Sequence, residues 1–152
     1  MACWSACPLY LKKVRKEVER MDMQTLIDQA IIARKKAYTP YSNFQVGAAV
    51  LTKDKQVFLG CNIENASYGL TNCAERTAIF KAVSEGEKEI EAIVVVGDTK
   101  GPIAPCGACR QVMAEFCDEN TKIILTNLKG DRVETTIHEL LPGFFSSKDL
   151  TK

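Results

Sequence analysis

Three cysteines in two short stretches constrain this chain more than any other feature. One stretch is Thr71-Asn72-Cys73-Ala74-Glu75-Arg76, and the other is Pro105-Cys106-Gly107-Ala108-Cys109-Arg110. Cys106 and Cys109 stand three positions apart, so on one helical turn their sulfurs face the same way. Cys73 lies in a separate segment, with the apolar run Ile90–Gly97 between them. A fold that brings the two segments together sets three sulfurs around one point. Three thiolates suit a zinc ion. Three protein ligands leave its fourth tetrahedral position to water, which is the pattern of a catalytic rather than a structural zinc. Glu75, two residues after Cys73, is the candidate to handle protons beside that water.

Both cysteine groups follow loops and are expected at helix N-termini, where free N–H groups and the helix dipole stabilise thiolates. Three thiolates against a dication leave one excess negative charge, which weakens the pull on a bound water. A cation is needed to drain it, and Arg76 and Arg110 are the candidates. Arg76 is preferred, with Gln111 available as a hydrogen-bonding partner to orient it.

Blander readings exist for each residue. Cys106-x-x-Cys109 alone also suits redox thiols. Glu75 alone reads as a capping residue three positions after Asn72. The two stretches together favour the metal. A purely structural zinc would want a fourth protein ligand, and no fourth motif cysteine or nearby histidine is visible. Cys61 and Cys117 read as small buried hydrophobes, and Cys3 and Cys7 have no visible partner. His138, the one histidine, reads as a surface or packing residue.

The order of elements follows from periodicity and breakers. Leu26, Ile27, Ala30, Ile31, Arg34 and Ala37 form one helical face, which must end by Thr39 because Pro40 disfavours helix in the residue before it. An aromatic loop, residues 38–44, precedes a hairpin of strands 45–52 and 56–61. A helix follows near 73–85, capped by Thr71 or Asn72. Two β-branched runs, 90–97 and 122–127, read as buried central strands, with a helix from about 106 to 117 between them. A last strand is expected over 132–136 and a short helix over 137–141. The pattern implies an α/β fold, a single three-layer domain with a mixed sheet of about five strands flanked by helices. Residues 23–152 form this domain. Residues 1–22 are an N-terminal extension, in which 9–20 read as a short basic helix or a solvated appendage.

Charge narrows the partners. Residues 1–22 carry five basic and three acidic side chains, while the remainder carries 15 basic and 16 acidic. A near-neutral body lacks the clustered Lys and Arg that track a polyanion. The expectation is a small-molecule partner, with no nucleic acid and no membrane. Seven cysteines, an odd number, come without a signal-like start or a membrane-length apolar run. A cytoplasmic setting is expected, where closely spaced cysteines serve metals more often than disulfides.

With these motifs in hand, the chain resembles the cytidine deaminase family, in its small homotetrameric branch with three cysteine ligands. The likeness rests on Cys73-Ala74-Glu75-Arg76 and on Pro105 through Gln111. It rests also on Tyr41-Ser42-Asn43-Phe44-Gln45-Val46-Gly47-Ala48, on Gly60-Cys61-Asn62-Ile63-Glu64-Asn65-Ala66 and on Glu139-Leu140-Leu141-Pro142. It spans roughly residues 26–150, and residues 1–20 have no counterpart in it. The resemblance implies one Zn²⁺ per chain on Cys73, Cys106 and Cys109, with Glu75 as proton carrier. The known reaction of zinc deaminases then applies, water attacking C4 of cytosine as ammonia leaves. It implies Asn62 and Glu64 on the ribose hydroxyls, Phe44 against the pyrimidine ring and Ala74 at the substrate. It also implies a homotetramer with shared active sites, Tyr68 and Phe145 reaching a neighbour's pocket. Residues i and i+2 at a strand end point the same way, which independently pairs Asn62 with Glu64. The expected reaction is deamination of cytidine and deoxycytidine in pyrimidine salvage. Deamination of a nucleoside-like antibiotic such as blasticidin S fits the zinc set but not the ribose pair. A nucleotide or polynucleotide substrate would meet a carboxylate where its phosphate sits.

Overall fold

Apolar residues alternate along the strands, and that alternation builds two cores on one sheet. In the computed structural model, which describes residues 22–150, the strands are β1 (Val46–Thr52), β2 (Val57–Cys61), β3 (Ile90–Gly97), β4 (Lys122–Asn127) and β5 (Arg132–Thr135). They form one sheet in the order β2-β1-β3-β4-β5. Only β3 and β4 run parallel; the other neighbours are antiparallel. Ile93 and Val95 of β3 face one side, with Ala48, Val50, Ile123 and Leu125. Ala92, Val94 and Val96 face the other, with Ala49, Leu51 and Ile124. A sheet buried on both faces needs a helical layer on each.

Helix α1 (Met23–Arg34) covers the second face through Leu26, Ile27, Ala30 and Ala33. The sequence face had Ile31 and Arg34 beside Ala30. Ile31 does pack, half-buried, against this core, Ala33 is buried as well, and the helix stops at Arg34, well before Pro40. Helices α2 (Ala74–Ser84) and α3 (Gly107–Phe116) cover the first face through Ala74, Ala78, Ile79, Ala82 and Met113, joined by Ile137 of α4 (Ile137–Leu140). Ile93, Val94, Val95 and Val96 are fully buried, and each such side chain stabilises the fold by about 1.5–3 kcal/mol. The three-layer mixed sheet expected from sequence is therefore present. The reading of residues 9–20 as a helix lies outside the described residues. Among the described residues, no helix is long and apolar enough to cross a membrane.

Strand register decides where chemistry can occur. Gly47 at the start of β1 pairs with Cys61 at the end of β2, and Val46 pairs with Gly97 at the end of β3. The segments leaving β2 and β3 thus emerge at the same end of the sheet. They lead to the N-termini of α2 and α3, so those two helix starts are brought together. Gly60 lets α2 close on β2, since a Cβ there would stand 2.4 Å from Ala74 O.

Candidate metal centre

Cys73 is the N-cap of α2 and Cys106 the N-cap of α3, both in extended backbone conformation. Cys109 lies in the first turn of α3 and is fully buried. The expected cap for α2 was Thr71 or Asn72; Cys73 takes that place, so Glu75 falls in the first turn and not at the capping-box position. Asn72 is held instead by a bridge to Ile63, with Ile63 N to Asn72 O at 2.9 Å and Asn72 N to Ile63 O at 3.0 Å. This bridge sets the approach of the chain to Cys73.

The three sulfurs lie within 4.8 Å of one another, and Cys73 Sγ is 3.8 Å from Cys106 Sγ. Tetrahedral zinc with Zn–S bonds of about 2.3 Å requires sulfurs about 3.8 Å apart. The donor chemistry agrees. Hydrogen bonding from Cys109 first, with help from Arg76 and Cys106, brings the Cys73 thiol down to about 5. The hydrogen bond with Cys73, followed by burial, pushes the Cys109 thiol up. Cys73 thus favours the thiolate and Cys109 the thiol, and a dication is what would allow such sulfurs to ionise together. The residues present fit zinc.

Glu75 is 4% exposed. Burial pushes its carboxyl up, opposed by its own backbone N–H. Arg76 Nη2 lies 3.4 Å from Cys73 Sγ and 3.4 Å from Thr71 O, which puts its charge beside a sulfur. The orienting contact differs from the expected one. Gln111 Nε2 donates to Phe145 O at 2.8 Å, and Thr71, two residues before Cys73, holds Arg76. Thr71 is closer because Arg76 leans back over the start of its own helix. Arg110, the other cation considered, turns away from the sulfurs to backbone carbonyls.

The strand-end residues form a second part of the site. Asn62 is buried, its Oδ1 accepting from Val46 N at 2.8 Å while its Nδ2 donates to Phe44 O at 2.8 Å. Its carboxamide clamps the aromatic loop to β1, keeping one N–H and one lone pair to spare. The Glu64 carboxylate accepts from Tyr41 N at 2.9 Å, from Ser42 N at 3.2 Å and from the Ser42 hydroxyl. Hydrogen bonding from Ser42 holds this carboxyl below the usual carboxylate range. Asn62 and Glu64 thus both hydrogen-bond to residues within 41–46. Ser42 was given no role from the sequence; its place in the aromatic loop and in the Tyr41–Ala48 stretch marked it. Tyr41, Ser42, Glu64, Tyr68 and Thr71 line a cleft of about 370 Å³. Phe44 is 40% exposed at this end of the sheet, and Tyr68 and Phe145 point outward, 75% and 60% exposed. Phe144 packs on the core and against the His138 ring at 5.3 Å. Ala74 is buried directly after Cys73.

Comparison with known proteins agrees with this geometry. Residues 20–125 match the family model described as the cytidine and deoxycytidylate deaminase zinc-binding region. A cytidine deaminase from Halalkalibacterium halodurans is 65% identical over 130 residues, covering 86% of this chain and 98% of that one. Another from Sporosarcina psychrophila is 58% identical over 131 residues, covering 86% and 96%. The crystal structure of cytidine deaminase from Burkholderia pseudomallei superposes with a TM-score of 0.80 at 57% identity, covering 82% of this chain and all of that one.

Proposed function

The chain belongs to the cytidine and deoxycytidylate deaminase family, and from that premise we propose that it is a zinc-dependent hydrolase converting cytidine and deoxycytidine to uridine and deoxyuridine with release of ammonia, in pyrimidine salvage. The observation that carries this is the placing of Cys73, Cys106 and Cys109 within 4.8 Å of one another, with buried Glu75 in the turn that follows Cys73. Zinc bound by those three sulfurs would supply an acidified water as nucleophile.

The rest of the reaction falls to side chains. Glu75 takes a proton from the attacking water and delivers it to ring N3, then takes the remaining proton from the new C4 hydroxyl and passes it to the departing amine. A C4–O bond forms, the C4–N bond breaks, and ammonia leaves. Burial favours this role, because a carboxyl pushed upward gains a proton more readily than an exposed one. Arg76 draws charge from Cys73. Asn62 offers its spare N–H and lone pair to the sugar, and Glu64 accepts from a ribose hydroxyl in the place where the Ser42 hydroxyl now donates. Phe44 packs on the pyrimidine beside Ala74.

The active unit is residues 23–152, with residues 1–22 as an extension; a relative matched over 130 residues, 98% of its length, is of the same size as that unit. The assembly is a homotetramer in the cytoplasm. Exposed Tyr68, Leu70 and Phe145 support sharing of sites between subunits, being apolar surface of the kind that interfaces cover.

Ultraviolet absorbance of cytidine mixed with the zinc-loaded protein tests the reading. The parent converts cytidine to uridine and Glu75→Ala does not. A zinc-loaded parent that leaves cytidine and deoxycytidine unchanged overturns it.

A further inference from the structure

The first turns of α3 hold two metal ligands and also grip the end of the chain. Arg110 Nε donates to Pro105 O at 2.9 Å, and its Nη1 donates to Leu140 O at 2.6 Å. Pro105 is buried and immediately precedes Cys106, the exposed ligand of the three. Leu140 is the last residue of α4. One planar guanidinium therefore bridges the peptide that leads into Cys106 and the carbonyl end of α4. A helix C-terminus favours a cation there, which makes the second contact more than a chance bond.

The two contacts have different consequences. The bond to Pro105 O fixes the plane of the Pro105–Cys106 peptide, and with it the position from which the Cys106 side chain starts. Proline restricts one side of that peptide, and Arg110 restrains the other. The bond to Leu140 O makes this restraint depend on α4. That short helix is in turn held by Thr136 and Glu139, which form a capping box, with Thr136 N donating to Glu139 Oε2 at 3.0 Å. The chain Thr136–Glu139, α4, Leu140 O, Arg110, Pro105 and Cys106 is continuous. Its exposed end faces solvent, and its other end is a zinc ligand.

We infer that Arg110 is a positioning residue that couples the seating of α4 to the Cys106 arm of the metal centre. Its guanidinium contacts backbone carbonyls. Its action is to keep Cys106 where the third sulfur is needed, so its loss speeds metal release. The inference rests on the three-cysteine zinc reading. Lysine keeps the charge but cannot bridge two carbonyls with a planar fork, so Arg110→Lys restores the bridge only in part.

The test measures zinc release from the loaded protein to a chromophoric chelator, alongside visible spectra of the cobalt-substituted form. Circular dichroism confirms that each variant is folded. Loss of a group that orients a ligand typically weakens metal retention about 10–100-fold. Arg110→Ala is expected to release zinc at least about tenfold faster with a shifted cobalt band, and Arg110→Lys to fall between it and the parent. Thr136→Ala, which loosens α4 without touching Arg110, is expected to speed release in the parent background but not in the Arg110→Ala background. A folded Arg110→Ala with the parent's release rate and cobalt spectrum overturns the positioning role. A Thr136→Ala effect of equal size in both backgrounds, or none in the parent, overturns the coupling to α4. If Arg110→Ala does not fold, Arg110→Lys and Thr136→Ala in the parent decide it, parental release in both being the refuting result. A parent that binds no zinc at all overturns this inference and the zinc reading together.

Discussion

Replacing Gly60 by alanine is the sharpest test of how α2 is positioned. The added Cβ would stand 2.4 Å from Ala74 O, 2.5 Å from Ala78 N and 2.9 Å from Ala78 Cβ. Two of these partners are backbone atoms of α2, so no side-chain rotation relieves the clash. Non-bonded heavy atoms settle near about 3.5 Å, so α2 must withdraw by about 1 Å. Ala74, one of the residues displaced, lies between Cys73 and Glu75. Overpacking of this kind costs about 1–3 kcal/mol, which lowers the melting temperature of a domain this size by about 3–10 °C. Misplacement of catalytic groups by about 1 Å costs about 100-fold in rate. The assay is cytidine turnover of the zinc-loaded variant, with thermal unfolding measured on the same preparation. Gly101→Ala is the control, since no heavy atom lies within 4 Å of its added Cβ. A Gly60→Ala protein that melts with the parent and turns over cytidine within about threefold of it would refute the reasoning.

Other outcomes follow from the same geometry. Arg76→Gln is expected to lower turnover while the protein keeps its zinc, because the Cys73 sulfur loses its cation; unchanged turnover at full zinc content would remove that role. Ser42→Ala should raise the Glu64 pKa toward the ordinary carboxylate value, since the Ser42 hydroxyl is the leading cause of its depression. The sign is that of a lowered carboxyl: its hydrogen bonds stabilise the folded loop above the unfolded pKa, and that contribution fades as pH falls through the folded one. Carbon-detected titration of the Glu64 carboxyl reads the change, and an unmoved midpoint contradicts it. Metal removal should open Cys106, the exposed ligand, and Cys73, whose thiol is lowered to about 5, to iodoacetamide. Cys117, with its thiol pushed up to about 12 by burial, should stay unmodified near pH 8. Mass mapping that finds Cys117 alkylated before Cys106 would count against this assignment.

The three-cysteine cluster and the carboxylate beside it were legible in the sequence because their signals are local. Cys106 and Cys109 share one helical turn, and Glu75 follows Cys73 by two residues; no tertiary contact is needed to see either. β3 and β4 were equally legible, with Ile90–Gly97 and Lys122–Asn127 standing where their β-branched runs begin and end. Helix caps were less so. Cys73 displaced Asn72 at the start of α2 because Asn72 is taken by its bridge to Ile63, a contact made from another segment.

Partner choices across the fold belonged to the tertiary structure alone. That Gln111 holds Phe145 rather than Arg76, that Asn62 clamps Phe44, and that Phe144 turns inward while Phe145 faces out depend on which segments the sheet register brings together. No period along the chain encodes such a pairing. Arg76 and Arg110 each follow a metal ligand closely, and the sequence presents both as candidates for the sulfurs. The packing of α4 against α3 separates them, by adding the Leu140 carbonyl to the local Pro105 carbonyl as acceptors for Arg110 while Arg76 stays beside the Cys73 sulfur.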